Sequence, residues 1–131
     1  MTTPPEPEPS HGDNHAQQGL DLLAAGDPAG AAQAYRAAIA ADPGHIEAHH
    51  GLIRALRDAE QFEAAVAAAL ALTALTPHDP LAHTSLSIAL QKAGHITEAE
   101  DAAGRARILE WKQQLAGPPE SDPGQGRTPF A

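Results

Sequence analysis

The sequence predicts an all-α chain: an α-solenoid of three tandem helix-turn-helix repeats of 34 residues with an extended C-terminal capping helix. Three observations carry that expectation. Unusual residues recur at a spacing of 34 or twice that, namely Pro43 and Pro77, Gly26 and Gly94, and the series His15, His49 and His83; a fixed period of this length is the mark of stacked helical repeats. Within each period the apolar residues follow helical spacing. Finally, 42% apolar residues with only 3% aromatics demands a core of small side chains, chiefly alanine, which combines the best helix propensity with close helix approach.

The first repeat, 12–45, opens with Ala16, Leu20, Leu23 and Ala24 at helical spacing. Gly26-Asp27-Pro28 then stops one helix and starts the next, Asp27 suiting the N-cap and Pro28 the first helical position, where a missing N–H costs nothing. Ala31, Tyr35, Ala38 and Ile39 form the stripe of the second helix, and Asp42-Pro43-Gly44 closes the repeat. The second repeat, 46–79, reads as helices over roughly 46–59 and 62–75 with Leu52, Leu56, Phe62, Val66 and Leu70 facing inward, ended by Thr76-Pro77. In the third, 80–113, Asp79-Pro80 repeats the cap-then-proline device, Leu86 and Leu90 supply the apolar face, and Gly94 sits at the turn. Thr97 with Glu100 reads as a capping box for the last helix. That helix is expected to run on through Ile108, Trp111 and Leu115 to about Ala116, its stripe covering the open end of the stack and burying Trp111.

The repeat domain so defined spans 13–116, between a Pro/Glu tail (1–12) and a Pro/Gly tail (117–131). Both tails are expected to be disordered, because neither can bury enough apolar surface to offset the entropy of ordering. Neither has a convincing P-x-x-P with basic flanks, so a passive solubilising role is expected of them. A net charge of −9 with only eight Lys and Arg argues against nucleic acid as a partner. With no cysteine, disulfides and thiolate metal sites are excluded. The N-terminus lacks a basic n-region and an apolar h-region, and no apolar run approaches a membrane span. No membrane association and cytoplasmic residence follow as expectations, and the alanine-rich composition is of a bacterial kind.

These residues resemble the tetratricopeptide repeat family over about residues 12–113. In the first repeat Gly19, Leu22, Ala31, Tyr35, Ala38 and Pro43 fall on the family's Gly, Tyr, Ala, Phe, Ala and Pro positions. In the second, Leu52, Leu56, Ala65, Leu72 and Pro77 are placed likewise, with Ile53 for the Gly and Ala69 for the aromatic. In the third, Leu86, Leu90, Ala99, Ala103 and Ala106 match in size, with Ser87 for the Gly and Trp111 for the Pro. The resemblance implies a superhelix whose concave groove is lined by the first helix of each repeat, a scaffold that hosts many partners.

Carried over by offset, the groove candidates are Gln17 and Leu20 from the first repeat, Glu47, His50, Arg54 and Arg57 from the second, and Ile88, Gln91 and Lys92 from the third. Arg54, Arg57 and Lys92 gather three of the chain's cations, so an acidic peptide or a free C-terminus is the expected ligand class. The competing expectation is that Arg54 merely pairs with Asp58 four residues on. The two-carboxylate clamp by which some family members hold heat-shock chaperone tails is not present: its positions carry Ala16, Leu20, Gly51, Leu81 and Ser85. The histidine series falls on packing positions of successive helices about 8–10 Å apart, too far for one metal ion to be shared. His45 and His49 could share a helix face, but two ligands alone make a weak site. No nucleophile elbow, phosphate loop or zinc-protease motif is found, so neither catalysis nor a cofactor is expected. The expected function is a protein-interaction adaptor that binds a peptide segment. The alternatives are a self-assembling homo-oligomer and a secretion-type chaperone for a partner protein.

Overall fold

The computed structural model describes residues 10–117, which form six α-helices: α1 (His11–Ala24), α2 (Pro28–Ala41), α3 (Ile46–Asp58), α4 (Phe62–Leu75), α5 (Pro80–Lys92) and α6 (Ile96–Ala116). α1 begins inside the stretch expected to be a tail. Ser10 caps it by accepting a hydrogen bond from the Asp13 N–H at 3.0 Å, and Gly12 is already buried. The remaining tail residues, 1–9 and 118–131, lie outside the described residues.

Local chemistry sets the other helix starts. Asp27 accepts from the Gly30 N–H at 3.0 Å and Asp79 from the Leu81 N–H at 3.0 Å, each just ahead of a proline in the first turn. At the start of α3 a histidine does this work: His45 Nδ1 accepts from the Ala48 N–H at 3.1 Å. The capping box expected at Thr97 and Glu100 does not form. α6 starts at Ile96 with His95 at the cap, so Thr97 already lies inside the first turn, where its hydroxyl cannot serve as the N-cap acceptor.

The turn inside each repeat uses one device three times. Asp27, Gln61 and His95 return their N–H to Leu22, Leu56 and Leu90 across the end of the preceding helix, which requires left-handed backbone just before them. Gly26 and Gly94 supply it at φ 83° and 89°, but the middle repeat places Glu60 there, at φ 59°. A non-glycine residue in this region is strained.

Consecutive helices pack in pairs, and α1 also touches α3 and α3 touches α5, whereas α2 makes no contact with α4 nor α4 with α6. The first helices of the repeats therefore form one continuous inner wall and the second helices an outer row. Between the layers lies a core of small residues, with Leu56 and Leu72 its largest fully enclosed side chains. Leu70, expected to face inward, is 52% exposed, and Leu72 takes the buried place. α4 is apolar nearly all round (FEAAVAAALALTAL), so periodicity could not fix its rotation.

The stripe expected to seal the C-terminal end is also outside the core: Ile108, Trp111 and Leu115 are exposed, Trp111 by 60%. Helix length explains it. α6 has 21 residues and its antiparallel partner α5 has 13, so at 1.5 Å per residue about 12 Å of α6 extends beyond α5. The end of the stack is closed instead by composition. Ser87 and Glu100 stand where the middle repeat buries Ile53 and Val66, so two positions that a fourth repeat would cover are polar here.

Candidate functional site

Tyr35 organises the inner wall where the first two repeats meet. Its ring is buried between α1 and α3, and both neighbours are glycine where it passes: a Cβ on Gly19 would stand 2.8 Å from the ring, and one on Gly51 closer still. The approach that lets the aromatic reach the wall thus depends on two missing side chains. Above it lies a cavity of about 330 Å³ lined by Asp13, Ala16, Gln17, Leu20, Tyr35, His45 and Glu47. Burial raises the Tyr35 phenol above its ordinary value, a shift that Arg54 opposes and Asp21 reinforces.

Three of the expected groove residues, Gln17, Leu20 and Glu47, are therefore brought together on one cavity. The Gln17 amide donates to Asp21 Oδ1 at 3.0 Å and Leu20 is 51% exposed. Arg54 is exposed and lies 3.8 Å from Asp58, the longest of the ion pairs among the described residues. Arg57 is half-buried, makes no ion pair among the described residues, and has its Nε buried without a partner. His50 and Ile88 are half-buried and Lys92 is exposed. Gln91 is not brought to the others. With Ser87, Ile96 and Glu100 it lines a cavity of about 220 Å³ on the end face, where a following repeat would pack.

Sequence reasoning missed the pairing of Asp13 with His45. His45 Nδ1 is occupied as an acceptor by the helix cap, so Nε2 carries the proton and donates to Asp13 Oδ1 at 2.7 Å. That hydrogen bond holds the Asp13 carboxyl below the usual carboxylate value. The signal available was only an acid and a histidine 32 residues apart, near the starts of successive first helices. The same separation recurs in Glu63 and His95, whose Nε2 lies 2.7 Å from Glu63 Oε1.

Two of the three recurrent histidines are packing residues with a defined partner, and His15 is half-buried. His49 and His83 are buried, and each Nε2–H donates at 2.8 Å to the carbonyl of the proline six residues earlier, Pro43 and Pro77. In the second and third repeats the periodic proline and histidine are thus two ends of one hydrogen bond that clasps the repeat to the turn before it; the position six residues before His15 lies outside the described residues. Among the described residues no group of three or more His, Asp or Glu is placed to hold a metal ion. Among them, too, no helix is long and apolar enough to cross a membrane.

Six helices in three hairpins, with first helices forming a wall and a Pro-to-His clasp between hairpins, accord with the tetratricopeptide repeat model, which matches residues 22–87, half of the chain. The chain belongs to the tetratricopeptide repeat family. Tetratricopeptide repeat chains of solved structure resemble it in fold. A MamA protein superposes with a TM-score of 0.75 at 18% identity, covering 86% of this chain and 62% of that one. A chain of the CopN-Scc3 complex gives 0.72 at 18% identity, covering 87% and 74%. The type III secretion translocator chaperone SycD of Yersinia enterocolitica, crystallised as an alternative dimer, gives 0.70 at 17% identity, covering 86% and 88%. At such identities the likeness is one of fold, and this chain spans 62% of the MamA chain it matches. No curated protein matches it in sequence. As a tetratricopeptide repeat protein it presents a protein-interaction scaffold.

Proposed function

We propose that the chain is a cytoplasmic protein-interaction adaptor, without catalytic activity or a cofactor, that holds a peptide segment of a partner along the wall made by α1, α3 and α5. One observation carries this reading: the three first helices touch in sequence while the second helices do not, which leaves a continuous surface of exposed polar and apolar side chains. Its polarity is graded. Asp13 and Glu47 border the cavity at the first junction, while Arg54 on α3 and Lys92 at the C-terminal end of α5 are exposed and are assigned to the groove by repeat offset. A segment with an acidic residue at one end and a polar or basic one at the other suits that gradient, guanidinium being the better reader of a carboxylate.

A second reading, a chaperone that shelters a partner protein, draws support from the SycD match, which extends over most of both chains. Both readings use the same wall. The test is recovery of partners from native lysate with the wild type and with Arg54→Glu/Lys92→Glu in parallel. Arg57 is left alone because its buried Nε makes a charge reversal there a stability change. Loss of the recovered partner with the double variant, at unchanged helicity, supports wall binding; undiminished recovery contradicts it.

A further inference from the structure

On the outer side of the stack α4 and α6 diverge, and a cavity of about 460 Å³ opens between them over α5. It continues toward the C-terminal end of α4 as a second cavity of about 410 Å³, the two sharing Thr73, His83 and Arg105. Leu86 and Leu90 floor this groove, and Leu70, the half-exposed leucine of α4, forms one apolar bank. The opposite bank, on α6, carries Glu98, Asp101 and Arg105.

Subtracting one period shows that this bank is particular to the third repeat. The floor positions His83, Leu86 and Leu90 correspond to His49, Leu52 and Leu56, the same residue types. The bank positions correspond to Ala64, Ala67 and Ala71 of α4, so three alanines have become three charged residues, while Arg36 on the other side has become Leu70. A solvated helix face needs charge, but it does not need an apolar bank facing it.

The floor also holds an unmet hydrogen-bonding group. His83 is 7% exposed, and its Nε2–H is committed to the Pro77 carbonyl, which leaves Nδ1 as an acceptor. That nitrogen is buried and has no partner. Buried polar atoms are nearly always satisfied, and one left open where two cavities meet fits a donor brought by a ligand.

We infer that the α4–α6 groove is a second docking site, which takes a basic amphipathic segment of a partner protein with apolar side chains on Leu70, Leu86 and Leu90 and Lys or Arg along Glu98 and Asp101. The charge of the bank decides the sign: Glu98 and Asp101 outnumber Arg105, adjoin Glu63 through His95, and belong to a chain of net charge −9, so encounter favours cations. Val66 to Pro77, the stretch of α4 and its following turn along the groove, admits a helical segment of about ten to twelve residues at 1.5 Å per residue. This site lies on the opposite side from the inner wall and stands or falls independently of it. Together the two faces give an adaptor that joins two proteins.

The test is a displayed library of random linear peptides of about twelve residues, the length set by the groove, selected on the full chain and on Glu98→Lys/Asp101→Lys. Both positions are exposed on α6, so helicity should persist; if circular dichroism shows loss, Asp101→Lys alone takes its place. The wild type should enrich spaced apolar residues with an excess of Lys and Arg, and the reversed variant should enrich Asp and Glu. A synthetic peptide from the wild-type selection should bind the reversed variant and Leu70→Asp at least about tenfold more weakly, while Arg54→Glu/Lys92→Glu leaves it unchanged. Equal charge in the two selections, or amide shifts confined to α1, α3 and α5, would overturn the inference. Binding that emerges only after removal of residues 118–131 would give the groove to the chain's own tail. A dimer abolished by Leu70→Asp would give it to a second copy. Either result would also overturn it.

Discussion

The two inter-repeat junctions share one backbone register and solve their packing in opposite ways. Where the first repeat meets the second, one large ring, Tyr35, is admitted by Gly19 and Gly51. One period later the same three positions hold Ala69, Ile53 and Ser85, so volume has moved from the second helix to the first. Ile53 is 2% exposed and Ala69 fully enclosed, so the exchange leaves both junctions closed. The comparison teaches that the family's aromatic and glycine positions are one constraint: a junction needs a given filled volume, and which helix supplies it is free.

Breaking the first junction should have the largest effect. Tyr35→Ala removes the ring that Gly19 and Gly51 make room for and should cost about 3–5 kcal/mol, read from urea denaturation. Gly51→Ala should cost about 1–3 kcal/mol by overpacking the ring, while Ser85→Ala at the equivalent place of the second junction should be near neutral. In the Tyr35→Ala background the sign at Gly51 should reverse, because alanine then brings only its helix propensity, about 1 kcal/mol better than glycine. A Gly51→Ala cost that survives in that background would mean that the ring is not what the glycine makes room for.

Next in size are the clasps. His49→Ala and His83→Ala each leave a proline carbonyl unpaired and should destabilise by about 1–3 kcal/mol. The effect at His83 should be the smaller, since its Nδ1 is already unsatisfied. Equal losses at the two sites would argue that Nδ1 finds a partner in solution. Glu60→Gly should stabilise by about 1 kcal/mol by relieving a left-handed non-glycine residue, visible as a higher thermal midpoint; Gly26→Ala should do the reverse.

The smallest expected effect is on the acid limb. The folded Asp13 carboxyl titrates below its unfolded value, so the stability linked to it is complete above that unfolded value and is lost as pH falls through the folded one. Denaturation midpoints measured downward from about pH 5 should fall more steeply for the wild type than for Asp13→Asn below about pH 4. On the alkaline side Tyr35, raised by burial, acts oppositely: its contribution is complete below the unfolded phenol value of about 10 and fades as pH rises above it.

The six helices were legible because Asp27-Pro28, Asp79-Pro80, Gly26, Gly94 and the closing prolines punctuate them, and each acts locally. The middle turn was placed between 59 and 62 as well, but not its left-handed residue, since Glu60 fills the glycine position and only a backbone angle reveals it. Thr97 misled because its capping motif lies two residues beyond the actual cap, His95. Rotation about the axis of α4 could not be read at all from a run of alanines and leucines, and this hid Leu70. Trp111 was expected to be covered because it shares an apolar stripe with Ile108 and Leu115; burial needs a partner helix, and α5 is too short to be one. On the inner wall, Gln17, Leu20 and Glu47 were named by offset as groove residues and line one cavity, but Tyr35 as its floor and His45 as the partner of Asp13 depend on contacts between repeats that no local pattern encodes.

The central functional claim is that partners lie along α1, α3 and α5. Amide hydrogen exchange on the full chain, alone and with the partner recovered from lysate, measures this directly. Added protection should map to residues 11–24, 46–58 and 80–92, the three helices of the wall, and should be lost with Arg54→Glu/Lys92→Glu. Protection confined to α2, α4 and α6, and unaffected by that variant, would contradict it.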